Sequence, residues 1–342
     1  MKIYVPEYYE KFKCIADKCS DSCCIGWGID IDSSTVEKYK SLPSNFRDDV
    51  ISSIDFSNGA CFKCDKNGRC KNLDDRGLCR IISTLGEGYL CQICRDHPRY
   101  FNLIGDRWEG GLGVACEVAA DMILSMDRLP GITEVESPDV DESVDQISPF
   151  AISARDYLLS FIFESNFCSV DMLHSLVAKA SVIDDVLFDI ICGDLDENTP
   201  AESVLGTTDA HLSLNFAEML SAFDDIEPLT SDFAEKARGA KEFAIKDKKC
   251  LEKLINEDAK IAIRNLAYYF LHRYFLSVDY GYRECVLFAA ASAILIVIMA
   301  HLLDGGTSHQ NLILSAKSFS KNIEYSTENV EKVLENLTYI QN

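Results

Sequence analysis

Eleven of the chain's fifteen cysteines fall between Cys14 and Cys116, and this crowding constrains the fold more than any other feature. They are Cys14, Cys19, Cys23, Cys24, Cys61, Cys64, Cys70, Cys79, Cys91, Cys94 and Cys116. Cys168, Cys192, Cys250 and Cys285 stand singly, as small buried hydrophobes do. Eleven thiols in so short a stretch call for a disulfide framework, a metal or a redox task. The opening residues, MKIYVPEYYEKFK, hold no apolar run and no small-residue cleavage site, so a cytoplasmic chain in a reducing compartment is expected. There, clustered cysteines more often bind metal than form disulfides. Cys23 and Cys24 are adjacent and could bridge each other only with strain. Cys61-x2-Cys64 and Cys91-x2-Cys94 have the form of zinc knuckles, but 26 residues separate them and the other spacings are irregular. Spacing therefore leaves zinc and an iron–sulfur cluster equally open.

The expected fold is mainly α: a small cysteine-rich metal-binding N-terminal module with short strands, followed by a helical domain. Its parts are residues 1–128, an acidic Pro-containing linker at 129–150, and a helical domain at 151–342. The linker carries Pro130, Pro138, Pro149 and six acids, Glu134, Glu136, Asp139, Asp141, Glu142 and Asp145, with no base. Net charge is −22. Residues 1–128 hold 17 Lys and Arg against 20 Asp and Glu, and the remainder 16 against 35, so the acidity lies in the second part. Nothing here offers the basic face that nucleic acid requires. The acidic surface serves solubility or a lysine-presenting partner.

Along the chain, Tyr4, Tyr8, Tyr9 and Phe12 are expected to cover the metal module. Ile29 and Ile31 alternate with Asp30 and Asp32, the pattern of a short half-buried strand. Ser34 and Glu37 have capping-box spacing for a helix that ends before Pro43. CRIISTLGEGYL predicts a short helix stopped at Gly86, and FNLIGDRWEGGLG a hairpin turning at Gly105-Asp106. Cys116 opens an apolar helix. From Ser153 the periodicity is helical, with Asn256 as a cap. Cys285 to Leu303 is nineteen residues without formal charge, close to the length of a membrane span. Its alanines, Ser292 and His301 favour a buried central helix, and no membrane association is expected.

Several chemistries are excluded. No Walker loop is present, and EGGLG lacks the strand–turn–helix setting of a nucleotide loop. Cys19-x3-Cys23 begins a radical adenosylmethionine signature, but Gly26 stands where its third cysteine belongs. The six histidines show no paired ligand spacing, and His97, three residues after Cys94, reads as a packing or hydrogen-bonding residue. Arg80, Arg95 and Arg99 lie near cysteines, where they neutralise thiolates or pair with local acids.

CSDSCC followed by GWGIDID, then CRIISTLGEGYLCQICRDHPRYF and a glycine-rich segment ending at Cys116, closely resembles the flagellin lysine-N-methylase family, with its CxxCxxCC-type zinc- or iron-chelating domain. The resemblance covers residues 1–128 and is traceable again in NLILSAKSFSKNIEYS. It implies a cytoplasmic protein-lysine N-methyltransferase acting on flagellin, with S-adenosylmethionine as donor and an iron–sulfur cluster, of the 4Fe–4S type, in the cysteine-rich part. By position it makes Cys19, Cys23, Cys61, Cys79, Cys94 and Cys116 the metal-ligand candidates, with Cys24 and Cys14 next. Cys64, Cys70 and Cys91 are additions of this chain. His97 stands in place of a tyrosine, and CEVAAD in place of a CPEAAR-like segment. Asp30, Asp32 and Glu109 are candidate bases by closeness to cysteines. The competing class is a non-enzymatic zinc or iron module whose cysteines are structural and whose acidic helical domain binds a partner.

Overall fold

The computed structural model describes residues 2–136, 147–164, 169–208, 214–246 and 256–340. Cys168, Cys250, His211 and, in the acidic segment, Pro138, Asp139, Asp141, Glu142 and Asp145 lie outside the described residues. Among the described residues helix accounts for 56% and strand for 11%, so the fold is mainly α, as expected.

Strands β1 (Lys2–Pro6), β2 (Ile54–Asp55), β3 (Cys61–Phe62), β4 (Arg99–Ile104), β5 (Arg107–Leu112) and β6 (Ile132–Glu136) form two sheets. The larger has the order β4-β5-β1-β6, with β1 parallel to β5 and antiparallel to β6. The β4–β5 hairpin turns at Gly105-Asp106, where Gly105 takes φ of 62°, a left-handed value that glycine adopts without strain. The glycines of EGGLG have a packing role: a Cβ on Gly111 would meet the Tyr100 ring. Two expectations are corrected here. The aromatic N-terminus does not cap the cysteine module; β1 lies in the large sheet, and Val5, Tyr8 and Phe12 pack into the helical core. Residues 132–136 of the acidic segment form an edge strand, because their backbone satisfies β1 from Lys2↔Glu136 to Pro6↔Ile132.

Helices α1 (Ser33–Lys40), α2 (Ser44–Ser52), α3 (Arg80–Leu85) and α4 (Gln92–Asp96) lie among the cysteines, and α5 (Glu117–Leu124) follows Cys116. The helical body comprises α6 (Pro149–Glu164), α7 (Ser169–Ala180), α8 (Ile183–Cys192), α9 (Ala201–Leu205), α10 (Phe216–Ser221), α11 (Ser231–Lys246), α12 (Glu257–Tyr274), α13 (Tyr282–His301), α14 (His309–Asn322) and α15 (Thr327–Thr338). Asn256 caps α12 by accepting from Ala259 N at 2.8 Å. The apolar α13 is the central helix, with Cys285 through Ala300 all buried. Among the described residues it is the one helix long and apolar enough to cross a membrane, and 89% of that stretch is covered by the protein's own helices. An all-round apolar helix needs such cover, since each large side chain gains roughly 1.5–3 kcal/mol on burial.

Two hydrophobic cores result. The smaller draws on residues from Ile29 to Cys94, around Tyr39, Val50, Phe62, Ile81 and Cys91. The larger unites the four-stranded sheet, α5 and the helical body. Buried Asn265 ties α5 to that body by donating to Leu124 O at 3.0 Å and Met126 O at 2.9 Å. Under the sheet, Glu109 and Arg155 are both buried and bonded, with Arg155 Nη2 at 3.1 Å from Oε1. Burial raises the carboxyl's pKa, but the Arg155 charge and hydrogen bonds outweigh it and hold the pKa below its ordinary value.

His272 sits beside this pair, its Nδ1 sharing a 3.0 Å hydrogen bond with Tyr100 Oη. Burial, then the charge of Arg155, pushes its pKa down to about 4. In the unfolded chain it would take a proton near 6.5. The unfolded state therefore binds more protons between these values, and stability is lost as pH falls through that window. We expect His272 to account for roughly 2 kcal/mol of destabilisation between pH 7 and pH 5. Denaturant unfolding of wild type and His272→Gln at both pH values checks this; an equal acid sensitivity in the two proteins would contradict it.

Candidate functional site

The cysteine module is organised by one carboxylate. Asp32 caps α1 by accepting from Thr35 N at 2.9 Å, and accepts from Gln92 N at 3.0 Å at the start of α4. The expected capping box at Ser34 is thus corrected. The cap lies two residues earlier, at Asp32, and Ser34 Oγ donates to Asp32 at 2.6 Å. Burial raises the Asp32 pKa, but these donors outweigh it and hold it well below the carboxylate range. Asp32 is committed to structure and poorly suited to accept a proton.

All thirteen described cysteines are free thiols; Cys192 and Cys285 stand apart in the helical body, and the eleven between Cys14 and Cys116 fall into three groups. Cys23, Cys24, Cys79, Cys91 and Cys94 lie within one another's electrostatic reach, with Cys70 at their edge. The Cys23 and Cys24 sulfurs are 4.0 Å apart. The hydrogen bond between them brings Cys23 down to about 7 and pushes Cys24 up. Cys91 and Cys94 form a second such pair, Cys91 lowered and Cys94 raised. Cys14, Cys19 and Cys116 make a separate group near the start of α5, with Cys19 Sγ 3.8 Å from Glu117. Cys61 and Cys64 are the third. The eight candidate ligands are therefore divided: Cys23, Cys24, Cys79 and Cys94 in the first group, Cys14, Cys19 and Cys116 in the second, Cys61 in the third. Cys91, set aside in the sequence, is fully buried in the largest group. Its Cys-x2-Cys spacing to Cys94 was the available signal. Among the described residues, no three His, Cys, Asp or Glu side chains converge as a metal site.

Between this module and the helical body lies a cavity of about 520 Å³. Its walls include Trp27, Asp30 and Asp32 of the module, Asp96 to Phe101 leading into β4, Arg273 of α12, and Ser320 and Tyr325 beyond it. Trp27 packs on Tyr325 with ring centroids 4.8 Å apart, and His97 Nδ1 meets Tyr325 Oη at 3.4 Å. His97 is thus the packing and hydrogen-bonding residue its sequence context suggested, with burial drawing its pKa to about 4. Arg273 Nη1 is 3.0 Å from the buried Glu324 and donates to Tyr269 Oη at 2.7 Å. Ion pairs bind α14 to α5 and to the module: Lys317 lies 3.2 Å from Glu117 of α5, and Lys321 pairs with Asp21 of the module.

The other candidates divide. Asp30 lines the cavity, whereas Glu109 is held by Arg155 and Arg107 and is not in its wall. Arg80 pairs with Asp49, and Arg95 lies 3.8 Å from Asp96. Arg99 stands over the rings of Tyr9 and Phe12, 5.3 and 5.2 Å from their centroids. Sequence reasoning missed Arg273, Ser320 and Tyr325. Ser320 and Tyr325 lie in NLILSAKSFSKNIEYS, the C-terminal segment that carried the weaker resemblance.

The flagellar biosynthetic protein FliU of Salmonella muenchen is 30% identical over 131 residues, covering 35% of this chain and 75% of that protein. The chain belongs to the FliU family. Lysine-N-methylases of Salmonella typhimurium (strain LT2) and Salmonella choleraesuis are each 29% identical over 131 residues, again 35% of this chain. The aligned region spans 32% of each lysine-N-methylase, about a third of its length. No protein-family model and no solved structure matches the chain.

The thiol grouping gives a direct expectation. Cys91 is buried beside Cys94, while Cys64 is exposed. Cys91→Ser should lower thermal stability clearly and carry away any metal retained by the anaerobically purified chain. Cys64→Ser should change both little. Melting curves and metal analysis on the same samples check this, and equal losses in the two variants would contradict the grouping.

Proposed function

We propose that the chain is a cytoplasmic S-adenosylmethionine-dependent protein-lysine N-methyltransferase acting on flagellin, with an iron–sulfur cluster in its cysteine module. The observation that carries this reading is the similarity to FliU and to two proteins named lysine-N-methylase. The cavity beside the thiols supports it.

The thiol chemistry fits a soft metal. Thiolates at 2.3 Å from a tetrahedral ion lie about 3.8 Å from one another. The 4.0 Å separation of the Cys23 and Cys24 sulfurs is close to that, the spacing of two ligands on one ion rather than on two irons of a cubane. Cys23, Cys24, Cys79, Cys91 and Cys94 are the residues that would hold the group, once their sulfurs are drawn onto one point on which no three of them now converge. Bound there, it would supply a redox-capable centre and part of the module's folding free energy.

For transfer, a lysine amine attacks the methyl carbon of the sulfonium. The carbon–sulfur bond breaks, its electron pair stays on sulfur, and the nitrogen gives up a proton. The protein must therefore favour the neutral amine and take that proton. Asp30 and Asp96 are the cavity carboxylates available for this, since Asp32 is spent on capping and Glu109 on Arg155.

Labelled methyl transfer from S-adenosylmethionine to lysines of flagellin tests the proposal, with metal and sulfide measured on the same anaerobic samples. We expect label in flagellin with wild type and loss of most of it, together with the metal, in Cys94→Ser. A fully metal-loaded wild-type protein that never labels flagellin would overturn the reading and leave the structural metal module in its place.

A further inference from the structure

The cavity holds hydrogen-bonding atoms that neither the fold nor the thiol cluster uses. Ser320 is 1% exposed, lines the cavity, and its Oγ has no hydrogen-bond partner. A buried hydroxyl left unpaired is costly, so such a group points to something that binds it. Arg273 occupies the same wall. Its Nη1 is engaged by Glu324 and Tyr269, and its plane lies over Tyr100, 4.5 Å from the ring centroid. Its Nε and Nη2 donate to no side chain among the described residues. A guanidinium carries five donors in a fixed fork, a shape that accepts a carboxylate. Gly113 opens the approach, since a Cβ there would come within 3.4 Å of Arg273 Nη1. The module side offers Asp30, Asp96 and the Trp27–Tyr325 ring pair.

We propose that this cavity is the methyl donor's binding site, with the donor's α-carboxylate on Arg273 and Ser320 and its adenine against Trp27 and Tyr325. The proposal rests on the methyltransferase reading and adds the place where the donor sits. The alternative occupant is the substrate lysine. A lysine side chain brings a cation but neither an anion for Arg273 nor a planar ring for Trp27. S-adenosylmethionine brings a carboxylate, a flat base and a sulfonium that carboxylates and ring faces attract. The volume of about 520 Å³ falls within the roughly 300–1,000 Å³ of small-molecule sites.

The test uses the anaerobically purified full chain and two probes, S-adenosylhomocysteine and methylthioadenosine, which share the nucleoside but differ in the amino-acid carboxylate. Calorimetry gives affinity. Trp27 fluorescence, read in a Trp108→Phe background, reports occupancy near the ring pair. We expect S-adenosylhomocysteine to change Trp27 emission and to bind about tenfold or more tightly than methylthioadenosine. Arg273→Lys should weaken S-adenosylhomocysteine by about tenfold or more and leave methylthioadenosine unchanged. Ser320→Ala should weaken S-adenosylhomocysteine by roughly threefold. Should Arg273→Lys not fold, Ser320→Ala and the two-probe comparison in wild type still decide. Wild-type affinity in the folded variants with silent Trp27 would overturn this site while flagellin labelling persists. No S-adenosylhomocysteine binding by a wild-type chain that also fails to label flagellin would overturn the methyltransferase reading itself.

Discussion

The buried carboxylate of Glu324 holds the site together. It is bonded by Tyr269 Oη at 2.8 Å, Tyr274 Oη at 3.0 Å and Arg273 Nη1 at 3.0 Å. Removing two charges from water costs several kcal/mol per ion, which is offset only when further hydrogen bonds satisfy the remaining sites. Two tyrosine hydroxyls supply them. The same contacts fix Arg273 in the cavity wall and set the chain direction at the end of α14, so that Tyr325 meets Trp27 of the cysteine module. One ionic centre in the helical body thus positions both a candidate binding group and the ring that docks the module.

Docking then draws on segments distant in sequence. Lys317 and Lys321 of α14 pair with Glu117 and Asp21, about 200 and 300 residues away. These are partly buried contacts, less screened by salt than surface pairs. The module therefore does not stand alone on its thiols. Its small core around Tyr39 and Phe62 is closed from within by Asp32, which links the starts of α1 and α4, and it is oriented from outside by α14.

Much of this was legible in local pattern. The hairpin at Gly105-Asp106, the stop at Gly86, the Asn256 cap and the buried apolar α13 all follow from rules that act within a few residues. The failures involve longer range or a local competition. β1 was misplaced because its partners, β5 and β6, lie more than 100 residues on. Asp32 took the capping role from Ser34 because a carboxylate can accept from several donors at once. Within the site, cysteine spacing located the module, but could not sort thiols into groups that depend on how Cys23 and Cys24 meet the Cys91–Cys94 turn. Arg273 carries no motif at all; only the tertiary contact with Glu324 marks it.

The central claim is that module and body share one donor site between them. Hydrogen exchange with and without S-adenosylhomocysteine measures this across the chain. The account predicts simultaneous protection of residues 27–32, 96–101, 269–274 and 320–326, four segments from both parts that each contribute to the cavity wall. Protection confined to one part, or lying wholly outside these segments, would contradict it.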